Sequence, residues 1–405
     1  MATLKAEKGS LEAVFAEANK KYNVSVGPID SIIEDVERFS CGNLAIDHIL
    51  GGGIPLGRSV ELFGPPSCGK TTLAIMAAAQ LQQIIIAGGD PKRGIHADDK
   101  ILYLDYEQAI DPDYVKALGL DPNHESFWIA QPDTLEDGAN FTLAAVATGR
   151  IRLIIVDSVA SMLPSAIDAA EVGKSLPAVQ AKLLSTFTQK MNPLLANNNA
   201  SILYLNHLVE VMDMGMARRP GMPPRTSTPG GKAIKYYSSV RVEFKQIGNI
   251  KEATEDPITK EKVEQVMATN VLVKTVKNKT FPPFRQAVVR VRFGTGFDNF
   301  WTALQILVAN KKIIYGAGIY KFHHLDEFGL APEWMSRAQT GAKAPYVKGD
   351  KAIFKVSEEH PEWREALIAY AGTEVLNNKK VLDSITPQAE EESEDEEESL
   401  EDILA

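Results

Sequence analysis

The chain has 405 residues, of which 44% are hydrophobic and 24% are charged, which is the composition of an ordinary soluble protein with one large core. No apolar run approaches the roughly 20 residues of a membrane span, the first residues lack the apolar segment of a signal peptide, and two cysteines are too few for a disulfide framework. A cytoplasmic protein without a membrane partner is therefore expected. The net charge of −10 argues at first against a nucleic-acid partner.

The first predicted element is a helix within residues 1–35. Its apolar residues share one face at helical spacing: Leu11, Val14, Phe15, Ala18 and Tyr22. Ser10 can cap this helix, and a polar stretch around Val26 separates it from the rest of the chain. The apolar face packs either on its own domain or on a neighbouring subunit, and the pattern alone leaves both open.

The next motif is GPPSCGKTT, which follows the predicted strand SVELF and precedes a helical segment, the context of a nucleotide-binding phosphate loop. Its glycines let backbone N–H groups turn toward phosphates, and the helix N-terminus adds positive potential. Lys70 would reach the β- and γ-phosphate oxygens, and the Thr71 hydroxyl would bind Mg²⁺. A nucleoside triphosphate with Mg²⁺ is thus the expected ligand, and the expected nucleotide-binding residues are Gly64, Pro65, Pro66, Ser67, Cys68, Gly69, Lys70, Thr71 and Thr72.

Short apolar runs then predict buried parallel strands with helices on both faces: KILYLD, RLIIVD and SILYLN. Ligands bind at the carboxyl ends of such strands. Asp157, at the end of RLIIVD, is expected to hold Mg²⁺ with Thr71, and a helix cap is the alternative. Glu107, just past KILYLD, either positions water for hydrolysis or is a surface glutamate. After Ser238 the runs VRVEF, TNVLVKTV and AVVRVRF alternate and predict an antiparallel extension of a core that spans 36–298.

A long segment from His207 to Gly231 is rich in proline and glycine and contains several methionines together with arginines. A loop of this length is expected at the surface. This combination suits the binding of a nucleic-acid strand, because apolar side chains can insert between stacked bases while guanidinium groups bind the phosphates. A disordered insertion without a ligand is the alternative.

The end of the chain predicts a small α+β lobe at 299–380 and an acidic, disordered tail at 381–405. Ten of the 53 acidic residues lie in the stretch 390–402, which leaves 43 acidic residues against 43 Lys and Arg residues elsewhere. This neutral body removes the objection to a nucleic-acid partner. The tail either is merely solvated or competes electrostatically with an anionic ligand.

Several segments, in chain order, resemble the bacterial RecA recombinases from about Leu11 to the acidic end: GNLAIDHILGGGIPLGRSVELFGPPSCGKTT, YLDYEQAIDPDYVKALGLD, IIVDSVASMLP, TPGGKAIKYYSSVR, VKNKTFPPF and GTGFDNF. The resemblance implies a RecA-type α/β core, a mostly parallel sheet with an antiparallel extension, an N-terminal helical arm and a small C-terminal lobe. It implies a homo-oligomeric helical filament on single-stranded DNA with ATP between neighbours. It also implies pairing with homologous duplex DNA, strand exchange and DNA-stimulated ATP hydrolysis. Single-strand-binding or loading proteins are further candidate partners.

The resemblance also implies roles for residues around the nucleotide. Glu107 corresponds to the residue that activates water. Asp111 and Tyr114 fall where the family contacts the nucleoside, and Phe293 matches an aromatic residue beside adenine. The leading helix is then expected to dock on the next subunit rather than on its own domain.

Further roles concern neighbouring protomers and DNA. Lys277 and Lys279 match lysines that reach the neighbour's nucleotide, while Asn206 and His207 occupy the position of a switch that senses the terminal phosphate. Two DNA-binding loops are expected at about 163–182 and 207–231. Their expected DNA contacts are Lys174, Lys182, Met212, Met216, Arg218, Arg219, Arg225, Gly230, Gly231 and Lys232.

The chain also departs from the family pattern. His207 replaces a glutamine, Pro177 falls near the expected intercalating position, and residues 87–100 lengthen the connection before Glu107. These changes indicate a divergent relative, of bacterial or phage origin, and they leave two other functions open. A ring-forming helicase with a related core would need an arginine where this chain has the lysines of VKNK. A scaffold that hardly hydrolyses ATP is the other alternative, and Glu107 argues against it.

Overall fold

The structure is a computed structural model that describes residues 15, 21, 35–168, 177–210, 226–255, 262–322, 330 and 346–377. The chain divides into two compact units, Met1–Glu37 and Arg38–Ala405. In the first unit, Phe15 and Lys21 are helical. The remainder of the predicted N-terminal helix and the whole acidic tail lie outside the described residues.

Strands and helices alternate along much of the described part of the chain. The strands are β1 Arg38–Phe39, β2 Ile54–Pro55, β3 Ser59–Gly64, β4 Gly89–Asp90, β5 Ile95–His96, β6 Lys100–Asp105, β7 Phe127–Ala130, β8 Ile151–Asp157, β9 Ser201–His207, β10 Val209–Glu210, β11 Thr226–Ser227, β12 Val240–Glu255, β13 Lys262–Asn278, β14 Gln286–Arg292, β15 Gly296–Phe297, β16 Ile314–Gly316, β17 Ile319–Lys321 and β18 Tyr346–Lys348. The helices are α1 Leu44–Leu50, α2 Lys70–Ile86, α3 Pro112–Ala117, α4 Leu135–Ala147, α5 Ser165–Asp168, α6 Pro177–Asn197, α7 Lys232–Tyr237, α8 Asn299–Ala309, α9 Asp350–Glu359 and α10 Pro361–Asn377. Among these described helices, none has the length and apolar character needed to cross a membrane.

One sheet dominates the second unit, with the strand order β7-β6-β8-β9-β3-β12-β13-β14-β15. Neighbours from β7 to β12 run parallel, and β13, β14 and β15 continue the sheet antiparallel. The prediction of a mostly parallel sheet with an antiparallel extension is confirmed. The register pairs Asp105 with Asp157 and Gly64 with His207, so the carboxyl ends of the four central strands lie side by side.

Two hydrophobic layers cover the parallel strands. In β9, Leu203 and Leu205 belong to the layer that contains α2, whereas Ile202 and Tyr204 belong to the layer that contains α4 and α6. Because successive side chains of a strand point to opposite faces, a strand buried on both faces is mostly apolar along its length. This is why the strands appear in the sequence as short continuous apolar runs.

The segment after β15 forms a small lobe with its own core. The ring of Trp363 lies 5.8 Å from that of Phe300 and 5.9 Å from that of Phe322, both edge-on. Strands β16, β17 and β18 form an antiparallel sheet beside α8, α9 and α10. The Arg290 guanidinium of β14 stacks 4.7 Å above the ring of Trp301, which ties this lobe to the extension of the large sheet.

Two predicted loops have more regular structure than the sequence indicated. The first was expected as a loop over 163–182, and that prediction is wrong at its ends, because α5 lies within it and α6 begins at Pro177. Proline suits the first turn of a helix, where its missing N–H would have no partner. The second loop, 207–231, starts inside β9 and is closed at its base by β10 and β11, which pair antiparallel. Residues 169–176 and 211–225 lie outside the described residues.

Candidate functional site

The phosphate loop joins β3 to α2. Gly69 caps α2 with a φ of 90°, a left-handed conformation that favours glycine. Lys70 is 6% exposed, and its Nζ donates to the backbone oxygens of Gly64 at 3.1 Å and Pro65 at 2.6 Å. Among the described residues Lys70 has no acidic partner. The loop therefore places an uncompensated buried charge at a helix N-terminus, which fits a phosphate group.

Thr71 and Asp157 meet at the carboxyl edge of the sheet. Thr71 Oγ1 donates to Asp157 Oδ2 at 3.0 Å, and the Tyr103 hydroxyl donates to the same oxygen at 2.6 Å. Burial raises the pKa of Asp157, the hydrogen bond from Tyr103 opposes that rise, and the charge of Glu107 adds to it. A cavity of about 160 Å³ adjoins these side chains. Because Mg²⁺ prefers hydroxyl and carboxylate oxygens beside phosphates, this set of donors fits the cation.

Glu107 lies just beyond the end of β6 and lines the same cavity. Its Oε1 accepts a hydrogen bond from Ser158 Oγ at 2.5 Å and lies 3.3 Å from His207 Nε2. Burial alone would raise the pKa of Glu107, but the hydrogen bonds from Ser158 and His207 outweigh it and hold that pKa below its ordinary value. The side chain is 33% exposed. An ionised, reachable carboxylate at this position can orient and deprotonate a water molecule.

A row of buried polar side chains runs across β9, β3 and β12, next to His207. Glu61 of β3 is fully buried, and its carboxylate accepts from Asn206 Nδ2 at 3.0 Å and from Arg241 Nε at 2.5 Å. Asn206 Nδ2 also donates to the backbone oxygen of Pro229 at 3.1 Å. A single buried amide thus contacts the carboxylate of Glu61 and the chain that returns from the second predicted DNA loop. The residue that follows it, His207, contacts Glu107.

Lys277 extends this row to β13, where it pairs in register with Arg241. Its Nζ donates to the backbone oxygens of Lys235 at 3.1 Å and Tyr236 at 2.8 Å. Burial lowers the pKa of Lys277 to about 8, and the positive charges of Lys279 and Arg241 contribute. An anion that approaches such a lysine stabilises its charged form, so this site favours the binding of an anion.

The buried pair of Glu61 and Arg241 gives a stability prediction. Replacing Glu61 by alanine leaves Arg241 and Asn206 without their acceptor, and we expect the free energy of unfolding to fall by about 3–5 kcal/mol. Urea denaturation measures this loss. The control is Glu264→Ala, which removes an exposed ion pair with Lys251 at 3.6 Å and should cost less than about 1 kcal/mol. Equal losses in both variants would contradict a structural role for the buried pair.

Comparison with known proteins shows the family to which the chain belongs. Residues 10–298 match the model of the RecA N-terminal domain. The chain belongs to the RecA family of recombinases. Protein RecA of Sinorhizobium fredii (strain NBRC 101917 / NGR234) is 36% identical over 292 residues, or 71% of this chain and 72% of the relative. Protein RecA of Brucella suis (strain ATCC 23445 / NCTC 10510) is 37% identical over 292 residues, with the same coverage. Protein RecA of Xylella fastidiosa (strain M23) is 35% identical over 294 residues, or 72% of this chain and 76% of the relative.

The RecA resemblance assigned a nucleoside contact to Asp111 and Tyr114, and both line the cavity beside the phosphate loop. Asp111 caps α3 through the backbone N–H of Asp113, and the Tyr114 hydroxyl lies 2.7 Å from Thr72 Oγ1. Phe293 follows β14 and is 49% exposed. Asp111 and Tyr114 therefore share a cavity with the metal-binding candidates, whereas Phe293 does not line it.

The predicted DNA contacts are only partly described. Lys182 lies exposed on α6, and Lys232 is exposed at the start of α7. Gly230 and Gly231 have φ values of 86° and 66°, and a Cβ on either would lie within 3.0 Å of a side chain of α6. The two glycines therefore let the base of the second loop pack against that helix. The other predicted contacts lie outside the described residues: Lys174, Met212, Met216, Arg218, Arg219 and Arg225.

Sequence reasoning missed four residues of this site. Ser158 directly follows Asp157, so its closeness to Glu107 could have been inferred from the sheet edge. The only sequence feature that pointed to Tyr103 was its polar hydroxyl group in the middle of an apolar stretch, residues 101–104. Glu61 was a charged residue inside a run predicted as a buried strand, and a buried charge requires a partner. Arg241 stood in VRVEF, an alternating run that did not indicate which of its side chains are buried.

Proposed function

We propose that this RecA-family chain is a DNA-dependent ATPase that assembles as a helical filament on single-stranded DNA, pairs that strand with homologous duplex and exchanges strands, in recombination and repair. One observation carries the proposal: Glu107 contacts His207, whose neighbour Asn206 holds the returning end of the second predicted DNA loop through Pro229. The candidate water-activating residue and the base of a DNA loop are thus joined by two adjacent side chains.

The chain's own residues have distinct tasks in hydrolysis. Lys70 and the N–H groups of the phosphate loop bind the phosphates of ATP, and Thr71 and Asp157 would hold Mg²⁺, which when bound neutralises phosphate charge. Glu107 orients water at the cavity and accepts its proton. Ser158 holds Glu107 in place through a hydrogen bond of 2.5 Å.

Two features support assembly with further copies of the chain. Lys277 and Lys279 are the candidate cations for a neighbour's nucleotide, and no acidic side chain among the described residues pairs with either. Strand β7 forms an edge of the large sheet, and its Trp128 and Ile129 are 60% and 44% exposed. Large apolar side chains on an open edge strand favour docking of another chain, and the occupant that fits a filament is a second protomer.

Replacement of His207 tests the link between nucleotide and DNA. A histidine can donate a hydrogen bond from Nε2 to Glu107, and glutamine can replace that donor. We expect His207→Gln to keep DNA-stimulated hydrolysis. We expect His207→Ala to bind ATP but to lose the stimulation by DNA, because the second predicted DNA loop no longer responds to the nucleotide. The measurement is the ratio of hydrolysis rates with and without single-stranded DNA. An unchanged ratio in His207→Ala would show that the coupling lies elsewhere.

The proposed function as a whole is tested by strand exchange. The purified protein is incubated with single-stranded DNA, homologous duplex, ATP and Mg²⁺, and labelled joint molecules are followed with time. We expect products that require ATP and homology, together with stimulation of hydrolysis by single-stranded DNA. Duplex unwinding without a homologous strand would instead support the ring-helicase alternative, and hydrolysis that ignores DNA would contradict the proposal.

A further inference from the structure

Tyr103 is a buried tyrosine of β6 that reaches the candidate metal site. It is 1% exposed, and its ring centroid lies 6.3 Å from that of Phe127. Tyr103 belongs to the core layer that contains α2, while its neighbours Leu102 and Leu104 belong to the opposite layer. A phenylalanine would fill the same space, so packing does not explain the hydroxyl.

The hydroxyl donates to Asp157 Oδ2 at 2.6 Å, and Thr71 Oγ1 donates to that oxygen at 3.0 Å. None of the hydrogen bonds between described residues uses the other carboxylate oxygen, Oδ1. Two donors on one oxygen fix the rotation of the carboxylate. Tyr103 is the donor in its hydrogen bond with Asp157, because an ionised carboxylate only accepts hydrogen bonds.

We propose that Tyr103 is a positioning residue for the divalent cation that accompanies the nucleotide, because its hydroxyl holds the carboxylate of Asp157 in one orientation at the cavity. The proposal rests on the proposed function in so far as the ligand is Mg²⁺ with ATP. Two other carboxylates, Asp105 and Glu107, line the same cavity. An Asp157 free to rotate would lose its fixed relation to Thr71, and the site would bind the cation less tightly.

The test is Tyr103→Phe, which removes the hydroxyl and keeps the ring. Binding of a fluorescent ATP analogue is measured while Mg²⁺ is titrated, and again in EDTA without the cation. Loss of a group that orients a metal ligand typically lowers metal affinity by roughly 10- to 100-fold. We expect the half-saturating Mg²⁺ concentration to rise by about tenfold or more, the affinity for metal-free nucleotide to stay unchanged, and kcat to recover at saturating Mg²⁺.

Tyr204→Phe is the matched control. Tyr204 lies in β9, is 1% exposed, and its hydroxyl has no hydrogen-bond partner among the described residues. Removing that hydroxyl should leave the Mg²⁺ titration at the wild-type position. Thermal melting of both variants without ligand verifies that each is folded.

Two results would overturn the proposal. One is a Mg²⁺ titration of Tyr103→Phe that coincides with those of the wild type and Tyr204→Phe. The other is a fall in the nucleotide affinity of Tyr103→Phe that is the same in EDTA as in the presence of Mg²⁺. That result would show that the hydroxyl supports the packing of the site and not the binding of the cation. If wild-type protein binds the analogue with Mg²⁺ but shows no DNA-stimulated hydrolysis, the proposed function fails, while the shift in Mg²⁺ dependence still decides the role of Tyr103.

Discussion

Replacing Lys70 by alanine is expected to lower ATP hydrolysis by roughly 10²- to 10³-fold or more, the effect of removing one group that stabilises charge in a transition state. Lys70 is buried beside the N-terminus of α2, where backbone oxygens of Gly64 and Pro65 hold its ammonium. Without it, the phosphate loop keeps its N–H groups but loses its cation. Nucleotide binding and strand exchange should both fail.

The control for this variant is Lys355→Ala. Lys355 is an exposed lysine on α9, 3.7 Å from Glu359, and its loss should leave hydrolysis unchanged. Steady-state hydrolysis with single-stranded DNA and binding of a fluorescent nucleotide are the two measurements. Near-normal turnover in Lys70→Ala, with a melting profile like that of the wild type, would refute the assignment of the phosphate loop.

Glu107→Gln is the second large effect, and it should separate binding from chemistry. Glutamine keeps the size of the side chain and can still accept a hydrogen bond from Ser158, but its amide cannot take a proton from water. We expect hydrolysis to fall by roughly 10²- to 10⁴-fold while ATP and single-stranded DNA still bind. The filaments that form should therefore persist after ATP is added.

Glu125→Gln serves as the comparison, because Glu125 is an exposed residue before β7 and does not line the cavity. Its rate should equal that of the wild type. A Glu107→Gln protein that no longer binds ATP would assign Glu107 a structural role, and one that hydrolyses ATP at the wild-type rate would move the water-activating group to another residue.

The sequence predicted the fold best for the parallel strands, because the same buried environment recurs in each of them. Parallel strands buried on both faces are mostly apolar, so β3, β6, β8 and β9 could be predicted from short runs. Their carboxyl ends share one edge, which correctly indicated that Asp157 and Glu107 lie near the phosphate loop. The roles of both residues in metal binding and hydrolysis remain predictions.

The rest depended on contacts between residues distant in the sequence. Tyr103 and Asp157 are 54 positions apart, and a strand pattern shows that Tyr103 is buried but not which group its hydroxyl contacts. The partner of Glu61 depends on the register that sets Arg241 beside it. The start of α6 was missed because Pro177 was considered as part of a loop, although proline also begins helices.

The central claim is that ATP and single-stranded DNA together assemble this chain into a filament whose protomers share nucleotide sites. Electron microscopy of the protein with single-stranded DNA, Mg²⁺ and a non-hydrolysable ATP analogue tests it most directly. We expect right-handed helical filaments that require both DNA and nucleotide and that are absent with Lys70→Ala. Discrete closed rings on the DNA, or filaments that form equally well without nucleotide, would contradict the claim.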